Sequence, residues 1–107
     1  MYARIGTFKT SSAQIDAVIQ DLRVNAVKAF SAHKGFLGYQ AYVDKETGCI
    51  IGISRWNSRQ ALELTDESAK NILRMASELG AHVIGDPKIL EEAFDEKPLA
   101  LIAEGNN

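Results

Sequence analysis

The stretch Gly48–Trp56, reading GCIIGISRW, constrains the fold more than any other part of the chain. It has the length and the β-branched content of a strand, and successive side chains of a strand point to opposite faces. Ile50, Gly52, Ser54 and Trp56 therefore share one face, while Cys49, Ile51 and Ile53 share the other. A strand that is apolar on both sides needs cover on both sides.

The remaining elements follow from periodicity and turn chemistry. Tyr2–Lys9 alternates moderately and reads as a strand. Ser11 and Gln14 have the spacing of a capping box ahead of a helix. That helix carries Ile15, Val18, Ile19, Leu22, Ala26, Ala29 and Phe30 as one apolar stripe, with Gly35 as its terminator. FLGYQAYVD and CIIGISRW, joined by KETG, form a β-hairpin whose turn Gly48 can close. If Asp44 opposes Cys49, then Val43 opposes Ile50, Ala41 opposes Gly52, Tyr39 opposes Ser54 and Leu37 opposes Trp56. A loop one residue longer would reverse the faces of one strand. Asn57 or Ser58 caps a second helix, which buries Leu62, Thr65, Ala69, Ile72, Leu73, Ala76 and Leu79 and stops at Gly80. Its outer face offers the pairs Asp66–Lys70 and Arg74–Glu78, each four residues apart. Gly85–Pro87 is a turn, and Lys88–Phe94 reads as a fourth strand.

The order strand, helix, strand, strand, helix, strand is the split βαβ, or ferredoxin-like, plan of an α+β fold. Two helices cover one face of its antiparallel sheet. The other face would then expose Phe36, Tyr42, Cys49, Ile51 and Ile53 together, an apolar patch of the kind that marks an interface. A second copy packed sheet against sheet resolves this, so a homodimer is expected through the face carrying Phe36, Tyr42, Ile51 and Ile53.

Length and composition fit one domain over residues 1–107, with a short tail from about residue 97. The formal net charge of −2 lacks the Lys/Arg excess of a nucleic-acid surface, so no such partner is expected. The single Cys49 excludes an internal disulfide and a Cys-rich zinc site. No His/Asp/Glu cluster has metal-ligand spacing, and no apolar run is long enough to cross a membrane. MYARIGTFKTSS lacks the basic start and long apolar run of a secretory leader, which points to the cytoplasm.

GFLGYQAYVDKETGCIIGISRWNSRQAL resembles the central hairpin and second-helix start of the antibiotic-biosynthesis-monooxygenase-like family. The shared features are a Gly-Phe after the first helix, a Gly-Tyr in the second strand, and a strand that ends in Trp before a capped helix. The resemblance implies a dimeric α/β barrel of two ferredoxin-like protomers, each with a pocket between sheet and helices. It also implies oxidation of an electron-rich aromatic by molecular oxygen without metal, flavin or other cofactor. By position, Trp56 matches the family's pocket-lining strand-end Trp.

The candidate substrate-binding residues are Trp56, Tyr39 and Ser54. Gly52 and Ser54 leave volume on the face of Trp56, and Tyr39 points to the same place with a hydroxyl. Trp56 and Tyr39 have a plainer reading as core or interface packing, and Ser54 lacks the nearby base and elbow pattern of a nucleophile. Asn57 is first a helix cap, and His33 suits a helix C-terminus. His82 has the range for proton transfer if it lies at a pocket mouth. Arg4 and Arg55 either bind an anion or pair with acidic residues. No catalytic residue is identified: the haem-degrading branch uses an Asn on the first strand and a His on the second helix, and both are missing here. Two functions are therefore expected in competition. One is a cofactor-independent monooxygenase of a small aromatic or polyketide-like compound. The other is a non-catalytic homodimer that binds a small ligand or responds to stress. An isomerase on the same scaffold would need a base that the sequence does not identify.

Overall fold

The computed structural model describes residues 1–100. The tail expected from about residue 97 lies for the most part outside the described residues. Strand β1 (Tyr2–Lys9) is followed by a 3-10 turn (Ser12–Gln14) and by helix α1, over residues 15–31. Strands β2 (Phe36–Asp44) and β3 (Cys49–Trp56) form the hairpin. Helices α2 (Arg59–Glu63) and α3 (Asp66–Glu78) come next, then two short strands, β4 (His82–Val83) and β5 (Lys88–Glu91). The sheet runs β2-β3-β1, and β4 and β5 share the outer edge of β1; every pairing is antiparallel. This is the α+β, ferredoxin-like fold.

The α1 stripe explains an irregularity in that helix. Val18, Leu22, Ala26 and Phe30 are all buried and four residues apart. In an ideal helix a four-residue step rotates the stripe by about 40°, so three such steps would carry it off the sheet. A wider, π-helical turn at Leu22–Ala26 keeps it facing inward. The expected capping box is not made: Ser11 gives no side-chain cap, and Gln14 N–H donates to the Ser11 carbonyl at 2.9 Å.

The hairpin turn is built by Asp44, whose Oδ1 accepts from Glu46 N–H at 3.0 Å while its carbonyl accepts from Gly48 N–H at 2.8 Å. Gly48 takes φ 76° and lies against the Thr10 carbonyl, where a Cβ would collide. Registers Asp44–Cys49, Val43–Ile50, Ala41–Gly52 and Tyr39–Ser54 are those expected. At the far end Phe36, not Leu37, opposes Trp56, because a bulge between Phe36 and Gly38 inserts one residue. Phe36 thereby turns to the helix side, 5.2 Å from Trp56 and 5.8 Å from Phe30 between ring centroids. Leu37 is left 43% exposed. Phe36 is therefore removed from the expected interface face. That face keeps Tyr42, Ile51 and Ile53, joined by Ile5, the β1 partner of Ile53.

The second helix is broken in two. Ser58, not Asn57, caps α2, its Oγ accepting from Ala61 N–H at 3.1 Å. At the break, Arg4 from β1 donates to the Leu62 carbonyl at 3.0 Å. The Thr65 hydroxyl donates to the same carbonyl at 2.6 Å, and α3 restarts as Ala69 N–H donates to the Thr65 carbonyl. The buried stripe expected along this segment is retained, and Leu62, Thr65, Ala69, Ile72 and Ala76 are all interior. Of the two surface pairs, Arg74–Glu78 forms at 2.8 Å, but Asp66 turns to Arg4 and Lys70 meets Glu67 instead at 3.5 Å. The fourth strand position opens earlier and closes sooner than expected. It holds β4 and β5 with residues 84–87 looped out between them, and it stops at Glu91.

Candidate functional site

Between the sheet and helices α1 and α3 lies a cavity of about 30 Å³. Its floor is β1 and β3, where Gly6 pairs with Gly52. Arg4, Phe8 and Ser54 stand beside these glycines; Phe30, Ala69, Ile72 and Leu73 close it from the helices, and Tyr39 and Pro87 complete the wall. The small side chains on neighbouring strands create this space, since neither Gly6 nor Gly52 contributes a Cβ. The volume accommodates a water or two and nothing larger.

Arg4 is the charged group of the site and is only 7% exposed. Nη1 donates to Thr65 Oγ1 at 3.0 Å, and Nη2 serves both the Leu62 carbonyl and Asp66 Oδ1. Burial pulls its pKa below the ordinary guanidinium value, while Asp66 pushes it back up. An arginine keeps its proton under these conditions, so the group is a buried cation paired with the Asp66 carboxylate at the edge of an otherwise apolar cavity.

Tyr39 approaches from β2, leaning off its partner Ser54 so that the end of its phenol ring lies over Gly52. A Cβ on Gly52 would run into the Tyr39 hydroxyl. Burial first, and the negative charge of Asp21 second, push the Tyr39 hydroxyl up to about 12. At neutral pH it is a hydrogen-bond donor and not a base.

Of the three expected binding residues, Tyr39 and Ser54 line the cavity and Trp56 does not. Trp56 is 0% exposed and lies behind the wall. Its indole N–H donates to Ser54 Oγ at 3.0 Å, and its ring meets Phe30 edge to face with centroids 5.4 Å apart. It supports two lining residues without touching the space. His82 is exposed on β4 opposite Lys9 and is absent from the cavity wall; Pro87 occupies the rim instead. His33 meets Ser68 at 3.3 Å, and Arg55 faces the open side of the sheet. The expected pairing of Arg4 with an acidic residue is made, to Asp66, but its place in the cavity wall was not expected. The signal was its parity: Arg4 lies two and four residues from Gly6 and Phe8, on the face that meets the helices. Among the described residues, no three His, Cys, Asp or Glu side chains are grouped as a metal site.

The fold and the cavity define a ferredoxin-like domain with an apolar site between sheet and helices, served by one buried cation and one phenol. The profile of the family described as Antibiotic biosynthesis monooxygenase matches residues 1–69, and the chain belongs to that family. Three solved structures show the likeness of fold. A monooxygenase from the gene ActVA-Orf6 of Streptomyces coelicolor, in complex with nanaomycin D, superposes with a TM-score of 0.67 at 17% identity, over 92% of this chain and 90% of that one. SnoaB, a cofactor-independent oxygenase from Streptomyces nogalater, gives 0.61 at 11%, over 88% and 94%. A dimeric ferredoxin-like protein from an uncultured marine organism gives 0.67 at 11%, over 89% and 97%. No curated protein sequence matches the chain. Among the described residues, no helix is long and apolar enough to cross a membrane.

Proposed function

We propose that this protein is a cofactor-independent monooxygenase of a small aromatic or polyketide-like substrate, acting as a homodimer. The observation that carries this reading is the presence of the Arg4 guanidinium and the Ser54 hydroxyl at an otherwise apolar cavity, with the Tyr39 phenol occupying part of it. A phenol or anthrone bound beside Arg4 has its ionised form favoured by the guanidinium, whose attraction the paired Asp66 carboxylate partly offsets. Such an anion is electron-rich enough to react with molecular oxygen itself. An anthrone methylene becomes a carbonyl: one oxygen atom stays on carbon, and the other leaves as water with the two hydrogens. The protein's contribution is to orient the ring, exclude water and stabilise negative charge. Ser54 hydrogen-bonds a substrate oxygen, and Trp56 holds Ser54 and Phe30 in place. The open face with Ile5, Tyr42, Ile51 and Ile53 supports the dimer, as does the likeness to a dimeric ferredoxin-like protein. The free thiol of Cys49 supports a reducing, cytoplasmic setting.

The test is oxygen uptake with a panel of anthrones, quinols and catechols against heat-killed protein. Uptake that Arg4→Gln lowers at least tenfold in a folded variant supports the reading, and uptake indifferent to Arg4 and Tyr39 overturns the site. A second reading, a non-catalytic homodimer that binds a small ligand or responds to stress, is favoured by one observation: the cavity of about 30 Å³ is smaller than any ring in the panel. Binding without oxygen uptake across the panel decides for it.

A further inference from the structure

The small cavity and the position of Tyr39 belong to one arrangement. Across the sheet the register places Ala41, Gly52 and Gly6 side by side, and beyond Gly6 the edge strand loops out at residues 84–87. This row forms a trough with almost no side chains in its floor. Pro87 stands at its outer end. A single side chain fills its middle: the Tyr39 ring, whose hydroxyl end rests where a Gly52 Cβ would stand. The space next to it admits about one methyl group, because a Cβ on Gly6 would sit in ordinary contact with the Phe8 ring at 3.8 Å and Leu73 at 4.0 Å.

We propose that the Tyr39 side chain is a self-placed stand-in for the ligand. A planar phenolic ring enters the trough only when the Tyr39 ring turns out of it, and the incoming ring then lies flat on Gly52 and Gly6. This inference rests on the binding site proposed above and adds its gate and the shape it selects. Three features of the structure support it. Tyr39 is only partly buried and stands on the sheet's outer strand, so its ring has solvent to turn into. Strand residues have two common χ1 states, and such turns are fast. The vacated volume is that of a phenol ring, set among Phe8, Phe30, Ile72 and Leu73, and an apolar cavity of that scale binds a benzene-sized ligand. A glycine floor under an aromatic ring selects for flatness, because any substituent rising from the ring plane meets backbone.

The experiment follows p-cresol, which is the tyrosine side chain as a free molecule, and 1-naphthol by quenching of Trp56, the only tryptophan. Tyr39→Ala is expected to bind p-cresol and 1-naphthol at least tenfold tighter than the wild type. In stopped flow, the wild-type rate for 1-naphthol should level off with concentration, and the Tyr39→Ala rate should not. Gly6→Val, checked for folding by circular dichroism, fills the trough beside the ring and should weaken both ligands at least tenfold; Gly6→Ala serves if the valine variant does not fold. Tyr39→Ala binding no tighter than wild type, or Gly6 variants binding equally well, overturns the proposal. Oxygen uptake separates the two readings. The expected binding pattern without uptake in any variant keeps the gate and removes the oxygenase. Uptake that the Gly6 variants leave unchanged keeps the oxygenase and removes the gate.

Discussion

The indole N–H of Trp56 donates to Ser54 Oγ at 3.0 Å, and both residues are closed off from solvent. The two lie on the same face of β3, two residues apart, so the strand itself holds the donor and acceptor together. Ser54→Ala leaves a buried N–H without a partner and should cost about 1–3 kcal/mol. In a Trp56→Phe background the same change should cost much less, and urea unfolding of the double-mutant cycle measures the difference.

Arg4 should matter more to stability than a surface ion pair does. Arg4→Ala removes three contacts at once and leaves a void at the helix break, where the Thr65 hydroxyl and the Leu62 carbonyl keep only their bond to each other and the Thr65 N–H. A loss of about 3 kcal/mol is expected from denaturant unfolding. Asp66→Asn should cost about 1 kcal/mol or less, because the Asp66 side chain is 59% exposed. Equal losses for the two variants would contradict the assignment of Arg4 as the centre of this network.

Tyr39 gives the alkaline limb of stability a specific origin. Its folded pKa, about 12, stands above the ordinary value of 10.0. The folded state therefore holds the proton longer than the unfolded chain. The contribution is fully present below pH 10.0, and it is lost as pH rises toward about 12. The loss is on the order of 2 kcal/mol. Of the three tyrosines, one should ionise last by tyrosinate absorbance, and Tyr39→Phe should remove that late step.

The open sheet face carries the prediction for assembly. Ile53 pairs with Ile5 across β3 and β1, and Tyr42, 58% exposed, pairs with Ile51 on the same side. Ile53→Asp places a carboxylate where a second sheet is expected to pack, at a cost of several kcal/mol, and should yield monomers. Sedimentation of a stable wild-type monomer at micromolar concentration would refute the barrel arrangement.

Periodicity made the element order and most of the hairpin register legible, because both rest on local patterns that the tertiary structure leaves intact. Two of the departures share one cause: contacts between residues remote in sequence. The bulge that exchanges Phe36 for Leu37 lets Phe36 join Phe30 and Trp56, a cluster drawn from three elements. The break at Leu64 depends on Arg4, some sixty residues away. Trp56 was legible as an important aromatic, but its place behind the cavity wall was not, since strand parity gives a face and not a depth. The strand at Lys88 was legible because KILEEAF carries a clear pattern, though it stops at Glu91, whereas His82–Val83 forms only two rungs on β1 and left no such signal.

The bridge from Arg4 to Thr65 also sets an order of events during synthesis. It spans 61 residues of sequence, and its charged partner Asp66 comes one residue later. Until that point has left the ribosome, the first strand carries a guanidinium on the side meant for the interior, with nothing to receive it. The hairpin and α1 can associate earlier, but the first strand cannot settle against them without stranding a charge. The arginine thus delays closure of the core until most of the chain is available, and the late step it imposes is one of long loop closure.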